Sequence, residues 1–404
     1  MMKGKYGPFY RRIRPFLMVA FLLILLSLSY TYAMFQGGFV SWFLFFSFLP
    51  FAIYSLLFFG YRIQTFQAER MIRSQVYHDG DNVNVTIVIK RVIPFPLIFL
   101  IVEELLPDSL EGKQKKLLFP GMKRKIKVSY NMKVPRGEHV LTGFRIATGD
   151  ILGFIEKEAF LPVRQTILVY PRFEDILYRP LESRYEHGNA AKALQFQKDT
   201  SLVAGVRQYQ PGDRFSWIDW KATARTNQMM AKEFEIRQTH DLIIVLDQSH
   251  SEHFEEAVKF SASLTKAILQ YGGQVGFFSA GKERTLIPIR AGELQLQKIL
   301  IHLAKIKADG EVHLAKVLVE DVTLYAQPAT KIIVTSFLDR KLIEAVSAEL
   351  QRKGGVIIFN VKKDHTPATN EELQCKLMAD QRGITVKTLQ ENQFRTALSE
   401  VKQA

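Results

Sequence analysis

The run DLIIVLDQSHS (Asp241–Ser251) sets an acid and two hydroxyls at alternate positions directly after a string of apolar residues. If that string is a strand of an open α/β sheet, Asp247, Ser249 and Ser251 fall in the crevice beyond its carboxyl end, where such sheets bind ligands. One carboxylate and two neutral hydroxyls are oxygen donors of the kind Mg²⁺ takes, few in number and completed by water. A second apolar run, KIIVTSF (Lys331–Phe337), is followed by Asp339, which a neighbouring strand would bring to the same crevice. A metal is not the sole reading. Asp247 and Ser249 at a strand–helix junction are also good caps for the helix that follows.

A second cluster lies in Val206–Glu235, VRQYQPGDRFSWIDWKATARTNQMMAKEFE, where charges of both signs alternate around a Pro211-Gly212-Asp213 turn and two tryptophans. Arg207, Asp213, Asp219, Lys221 and Arg225 suit an ion-pair lock, with Trp217 or Trp220 as a buried anchor. The same types also suit a docking surface, because Arg, Tyr and Trp dominate interaction hot spots. Catalytic signatures are missing: there is no Gly-x-Ser-x-Gly elbow, no phosphate-binding Gly loop and no His-Glu-x-x-His. The single cysteine, Cys375, excludes an internal disulfide framework and a four-cysteine zinc site. Its surroundings, EELQCKLMA, read as an amphipathic helix with a core thiol.

The elements that must position these residues change texture along the chain. From Asp241 onward, apolar runs at Asp241–Leu246, Gln274–Ser279, Thr285–Arg290, Lys331–Phe337, Val356–Val361 and Thr385–Leu389 alternate with helical stretches. This predicts a mostly parallel, doubly wound α/β sheet over 241–404. In the first helix Ala257, Phe260, Ser261, Leu264, Ile268 and Tyr271 share one face. Residues 63–170 read as a small antiparallel β-sandwich, with strands at Asp81–Lys90, Leu97–Leu105, Lys123–Tyr130, Val140–Ile146 and Ile155–Phe160 between proline and glycine breaks. Residues 171–240 form a connecting segment that carries the second cluster.

Residues 1–62 are of another kind. No charged side chain occurs from Pro15 to Tyr61, and two stretches of about 20 residues, 15–35 and 39–61, are separated by Gln36-Gly37-Gly38. The pattern predicts a two-span transmembrane hairpin. Lys3, Lys5, Arg11, Arg12 and Arg14 precede it, and Arg62, Arg70 and Arg73 follow, so the positive-inside rule puts both ends and all that follows in the cytoplasm. The formal charge of +14 is concentrated here too. Residues 1–170 carry eleven of the excess positive charges, and the basic stretch Lys113–Lys127 suits either anionic headgroups or a solvated strand edge. The lysines lack the aromatic interleaving that stacks nucleotides, which argues against nucleic acid.

Two resemblances add to this reading. The Asp-x-Ser-x-Ser string with Asp339 resembles the metal-ion-dependent adhesion site (MIDAS) of von Willebrand factor A domains, which implies Mg²⁺. The threonine that such sites take from a Gly-Gly-Thr-like loop falls here at Val312 in Gly310-Glu311-Val312-His313-Leu314, and valine cannot ligate. Arg207, Tyr209, Pro211, Gly212, Asp213, then Ile218, Asp219, Trp220, Lys221, Ala224 and Arg225 resemble the signature of the bacterial family called "domain of unknown function 58". One departure is Ser216, where arginine is expected. That resemblance implies a membrane protein with no established catalysis, working with a MoxR-type AAA+ ATPase and often beside a membrane transglutaminase-like protein. The expectation is a membrane-tethered cytoplasmic adaptor, not an enzyme. Two alternatives stand beside it: a Mg-dependent hydrolase or phosphotransferase built on Asp247 and Asp339, and a metal-free structural envelope protein.

Overall fold

Two long helices open the chain. In the computed structural model, which describes residues 8–73, 75–107, 110, 115–177, 203–210, 213, 215–234, 241–321, 329–350, 355–364, 366 and 369–398, α1 spans Pro8–Gln36 and α2 spans Phe39–Gly60. Gly37 and Gly38 between them have φ of 59° and 132°, values that glycine alone takes without strain, and this makes the tight reversal. Pro15 and Pro50 sit inside the helices, as proline is permitted to do in membrane-spanning segments. Both helices are long and apolar enough to cross a membrane, and only 11% and 17% of their most apolar windows are buried. A soluble core helix would be mostly covered. Exposed Phe, Leu, Ile and Val side chains along both helices therefore fit anchoring in a membrane.

The chain divides into Met1–Tyr170 and Pro171–Ala404. In the first unit the helices lead into strands β1 (Gln67–Ile72), β2 (Tyr77–His78), β3 (Asn82–Lys90), β4 (Leu100–Leu105), β5 (Lys115–Leu118), β6 (Lys125–Lys133), β7 (Gly137–Gly149) and β8 (Glu156–Tyr170). They form a sheet in the order β1-β3-β6 and another in the order β2-β8-β7-β4-β5. Both are antiparallel apart from the β2–β8 pair. The alternation in β3 does what its period requires: Val83, Val85, Ile87 and Ile89 are buried and meet Leu100, Val102, Leu141, Phe144 and Ile146 from the other sheet. In β6 the same period turns Ile126, Val128, Tyr130 and Met132 inward and leaves Lys125, Lys127 and Lys133 exposed.

Strand β1 has no apolar alternation to announce it, because its inward residue is Arg70. The Arg70 guanidinium meets the Glu104 carboxylate at 2.8 Å with both side chains fully buried. It also donates to Val163 O (2.9 Å) and lies 4.7 Å from the centre of the Phe144 ring. Burial pushes the Glu104 carboxyl upward and Arg70 opposes it. Burial likewise lowers the Arg70 pKa.

The first helix or strand elements of the second unit among the described residues are a strand pair, β9 (Val203–Gln208) and β10 (Met230–Phe234), that encloses the short helix α3 (Trp220–Thr226). A six-stranded sheet follows in the order β13-β12-β11-β14-β15-β16. Its strands are β11 (Asp241–Asp247), β12 (Gln274–Ala280), β13 (Arg284–Arg290), β14 (Thr330–Thr335), β15 (Val356–Lys362) and β16 (Thr385–Gln390). All neighbours are parallel except β12 and β13, which form a hairpin. Alternate residues of β11 feed different cores. Leu242, Ile244 and Leu246 pack with α4 (Phe254–Gln270) and α5 (Glu293–Lys305). Ile243 and Val245 pack with α6 (Leu314–Glu320), α7 (Arg340–Leu350) and α8 (Asn370–Gln381).

The expected face of α4 is buried as far as Ile268. Tyr271 is its C-cap and 62% exposed, because the helix ends before the next inward turn. Cys375 faces the core from α8 one turn before Ala379, and burial raises its thiol pKa.

Candidate functional site

The strand order reverses at β11: the chain leaves it towards β12 on one side and returns to β14 on the other. Loops diverge at such a switch point and open a crevice beyond the carboxyl ends of the strands. Asp247 is the last residue of β11 and is 5% exposed. Its Oδ1 accepts from the Ser249 backbone N–H (3.0 Å) and the Ser249 hydroxyl (2.6 Å). Its Oδ2 accepts from the Thr335 hydroxyl at 2.8 Å. Parallel pairing of Leu246 with Val334 sets Thr335 beside Asp247. Thr335 Oγ1 also lies 2.9 Å from Phe337 O and accepts from Phe337 N–H at 3.1 Å. A hydroxyl has one proton, and Asp247 Oδ2 and Phe337 O both only accept, so the two contacts compete for it, with the carboxylate the stronger acceptor.

A loop before α6 closes the crevice from the side. Gly310 pairs with Ser249 in an isolated parallel bridge, and its N–H donates to Gln248 O at 2.9 Å. The approach is so close that a Cβ on Gly310 would stand 3.0 Å from Gln248 backbone atoms and 3.1 Å from Ser249 N. In the amide orientation that satisfies both partners, Gln248 donates to Asp309 Oδ1 (3.1 Å) and Lys307 O (3.2 Å). His313 caps α6, its Nδ1 accepting from Ala315 N–H at 3.2 Å. Its Nε2 lies 3.0 Å from Asp339 Oδ2. Since Nδ1 accepts, the proton sits on Nε2 and is donated to Asp339.

The resulting cleft, about 300 Å³, is lined by Asp247, Ser249, His250, Ser251, His313, Leu314, Phe337 and Leu342. Asp339 is not in that lining. Its Oδ1 accepts from Leu342 N–H at 2.9 Å and caps α7, while Oδ2 holds His313. Ser251 Oγ accepts from His253 N–H at 3.1 Å at the entrance to α4. Val312 is on the surface, 38% exposed. The structure thus brings Asp247, Ser249 and Ser251 into one lining and bonds Asp339 to His313 of that lining.

For a magnesium ion this is a sparse donor set. One carboxylate and two hydroxyls are of the right chemistry, with the remaining positions left to water. Among the described residues no three His, Cys, Asp or Glu side chains converge. Two residues of the site escape sequence reasoning. Thr335 is hidden inside an apolar strand, and its register against Asp247 is the signal. His313 stands next to the position weighed for a threonine, and its place just before an apolar helix marks it as a cap.

The other sequence cluster is a small self-contained fold. Arg207 grips Asp213 with both ends, Nη1 to Oδ2 at 2.8 Å and Nη2 to Oδ1 at 2.7 Å, and Gln210 N–H donates to the same carboxylate at 3.0 Å. Pro211 and Gly212 lie outside the described residues. Asp219 caps α3, accepting from Ala222 N–H at 3.0 Å, and its own N–H donates to Met230 O at 2.9 Å. Tyr209 N–H donates to Met229 O (2.8 Å), and the Tyr209 ring stacks on Phe215. Ile218 supplies the buried anchor, while Trp220 is 67% and Phe215 75% exposed. Lys221, Ala224 and Arg225 are exposed on the same short helix.

The family described as "Protein of unknown function DUF58" matches residues 205–400, from the Arg207 segment through the last strand. The uncharacterized protein YeaD of Bacillus subtilis (strain 168) is 36% identical over 365 residues, covering 88% of this chain and 91% of the relative. The chain belongs to the DUF58 family. Among solved structures, the bacterial hydrophobin BslA aligns with 26% of this chain and 99% of its own at 11% identity and a TM-score of 0.18. A putative late embryogenesis abundant protein aligns with 28% of this chain and 80% of its own, at 12% identity and the same TM-score of 0.18. Similarity at that level carries no argument here. The DUF58 match takes in both clusters, the Arg207–Arg225 segment and the Asp247 cleft.

Proposed function

We propose that this DUF58 protein is a membrane-tethered cytoplasmic adaptor that binds a protein partner at the Asp247 cleft. The observation that carries the reading is the exposed Phe337, 58% accessible, at the rim of a switch-point cleft whose floor is the hydrogen-bonded Asp247. An apolar ring beside a buried acid suits a docking pocket with a central anchor and a polar orienting group. The basic flanks of α1 and α2 support the cytoplasmic placement. Two sheets sharing one core read as a small β-sandwich, and the mixed sheet with the Asp-x-Ser-x-Ser loop at its switch point reads as von Willebrand A-like. A Mg²⁺ ion bound by Asp247, Ser249 and Ser251 would supply a site for a partner carboxylate. The partner implied by the family resemblance is a MoxR-type AAA+ ATPase, with a membrane transglutaminase-like protein as a second.

A second surface has its own observation. Exposed Phe215 and Trp220 beside Lys221 and Arg225 make the Arg207–Arg225 segment a docking face held in shape by its Arg207–Asp213 lock. Photo-cross-linking residues at positions 337, 220 and, as a control, the exposed Leu377 test the two surfaces in the full chain in its own membrane. Adducts with an AAA+ ATPase at 337 support the cleft. Adducts at 220 alone move the contact, and adducts equally at 377 refute a specific site.

A further inference from the structure

The last turns of α2 are already occupied by protein. Tyr54 donates its hydroxyl to Pro96 O (2.9 Å), Ser55 to the buried Asp150 Oδ2 (2.6 Å), and Tyr61 to Ile93 O (2.8 Å). The Phe95 ring wedges against Tyr54, Phe58 and Tyr61 at 5.4, 6.1 and 4.9 Å between centroids. Lys157 reaches the end of the helix and donates to the carbonyls of Phe58, Phe59 and Tyr61. α1 is sheathed to a matching depth, since Phe21 packs on Phe154 and Leu22 is fully buried.

What remains free of these contacts is Phe39–Ile53 of α2, about 15 residues or roughly 22 Å at 1.5 Å per residue. The free part of α1 is as short. A hydrocarbon core is about 30 Å thick. The helices therefore fall short by about 8 Å, roughly one and a half turns. The missing depth has to be met where the β unit surrounds them, and the surface there is made for it. The uncharged loop 92–99 (VIPFPLIF) exposes Val92, Ile93 and Ile98, and the uncharged loop 117–122 (LLFPGM), which takes in the last two residues of β5, exposes Leu117, Phe119 and Met122. The two are joined by the Leu97–Gly121 bridge and by Arg91, which donates to Phe95 O, Gly121 O and Lys123 O. On either side of the second loop stand exposed cations, Lys115 and Lys116 before it and Lys123, Arg124 and Lys125 after it.

We infer that loops 92–99 and 117–122 are immersed in the interface of the same bilayer that α1 and α2 cross, with the flanking cations on anionic phospholipid headgroups. The β unit is then a collar set into the membrane surface and not a spacer above it. This inference rests on the reading of the two helices as spans, and its charge pattern, apolar tips between basic shoulders, is that of interfacial anchors.

The test uses the full chain with Cys375→Ser, reconstituted into nanodiscs of phosphatidylcholine with or without phosphatidylglycerol. An environment-sensitive fluorophore is placed through single cysteines at Leu44, Ile93, Met122 and Thr166, all exposed positions. Thr166 lies nine residues beyond Lys157 along β8, about 30 Å away at 3.3 Å per residue. Lipid-borne nitroxide quenchers should remove most of the emission at 44, 93 and 122 and leave 166 unchanged. Quenching at 122 should be greater with phosphatidylglycerol and lose that increment in Lys115→Gln/Lys116→Gln/Lys123→Gln/Lys125→Gln. Quenching at 44 but not at 93 or 122 overturns the collar and keeps the spans. No quenching at 44 overturns both. Equal quenching at 122 in the two lipid mixtures overturns the headgroup contact.

Discussion

Thr335→Val is the sharpest probe of the site. The change keeps the volume of a fully buried side chain and removes one hydroxyl, which donates to Asp247 Oδ2 at 2.8 Å and receives Phe337 N–H at 3.1 Å. A hydrogen bond to a charged acceptor is worth about 1.5–3 kcal/mol, and here the carboxylate left behind is almost wholly buried. For a unit of this size each kcal/mol moves Tm by about 2–4 °C, so a fall of roughly 3–12 °C is expected. Thermal unfolding of the purified full chain, followed by circular dichroism, reads the shift. Asp247→Asn in both backgrounds closes a double-mutant cycle, whose coupling should exceed about 1 kcal/mol because the two groups touch. A Tm within 1 °C of wild type, or a coupling near zero, would refute the assignment of the Thr335 proton to Asp247.

Other perturbations probe neighbouring parts. Gly310→Ala should destabilise by about 1–3 kcal/mol by urea unfolding, because its Cβ meets the backbone of Gln248 and Ser249. Glu104→Leu should cost about 3–5 kcal/mol by stranding Arg70, and Arg70→Met/Glu104→Leu should recover most of it. His302, held against Ser279 Oγ at 2.8 Å, has its pKa lowered by burial. Its contribution is therefore complete above the ordinary histidine value of about 6.5 and is lost as pH falls through the lowered one. His302→Gln should flatten the decline in urea midpoint between neutral and mildly acid pH. Added Mg²⁺ should raise Tm of wild type and leave Asp247→Ala unmoved if the cleft binds the ion only in the folded state. An unmoved wild type would favour the metal-free structural reading.

The α/β region was legible because its strands are continuous apolar runs and its helices keep a 3.6-residue face, as in α4 and β11. The hairpin was legible for a simpler reason, the absence of any charge from Pro15 to Tyr61. What escaped depends on long-range pairing. β1 hides behind an inward Arg70 whose partner Glu104 is on a different sheet, and no local pattern reveals that. Of the two tryptophans expected to anchor the 206–235 segment, Trp220 is exposed at the start of α3 and Trp217 is half-buried, with Ile218 the buried residue beside it. At the cleft, Asp247, Ser249 and Ser251 follow from one strand end. Thr335 and His313 need the sheet order and the Gly310 bridge to be known, and Asp339 is drawn away by a helix cap that a sequence string does not show.

The most direct test of the adaptor account is cross-linking of the full chain in its own membrane, wild type beside Asp247→Ala, with captured proteins identified by mass spectrometry. The account predicts an AAA+ ATPase captured by wild type and lost with Asp247→Ala, in a variant whose circular dichroism shows the fold retained. Capture by both proteins would place the contact on the Phe215–Trp220 face. Capture of no ATPase by either would contradict the account.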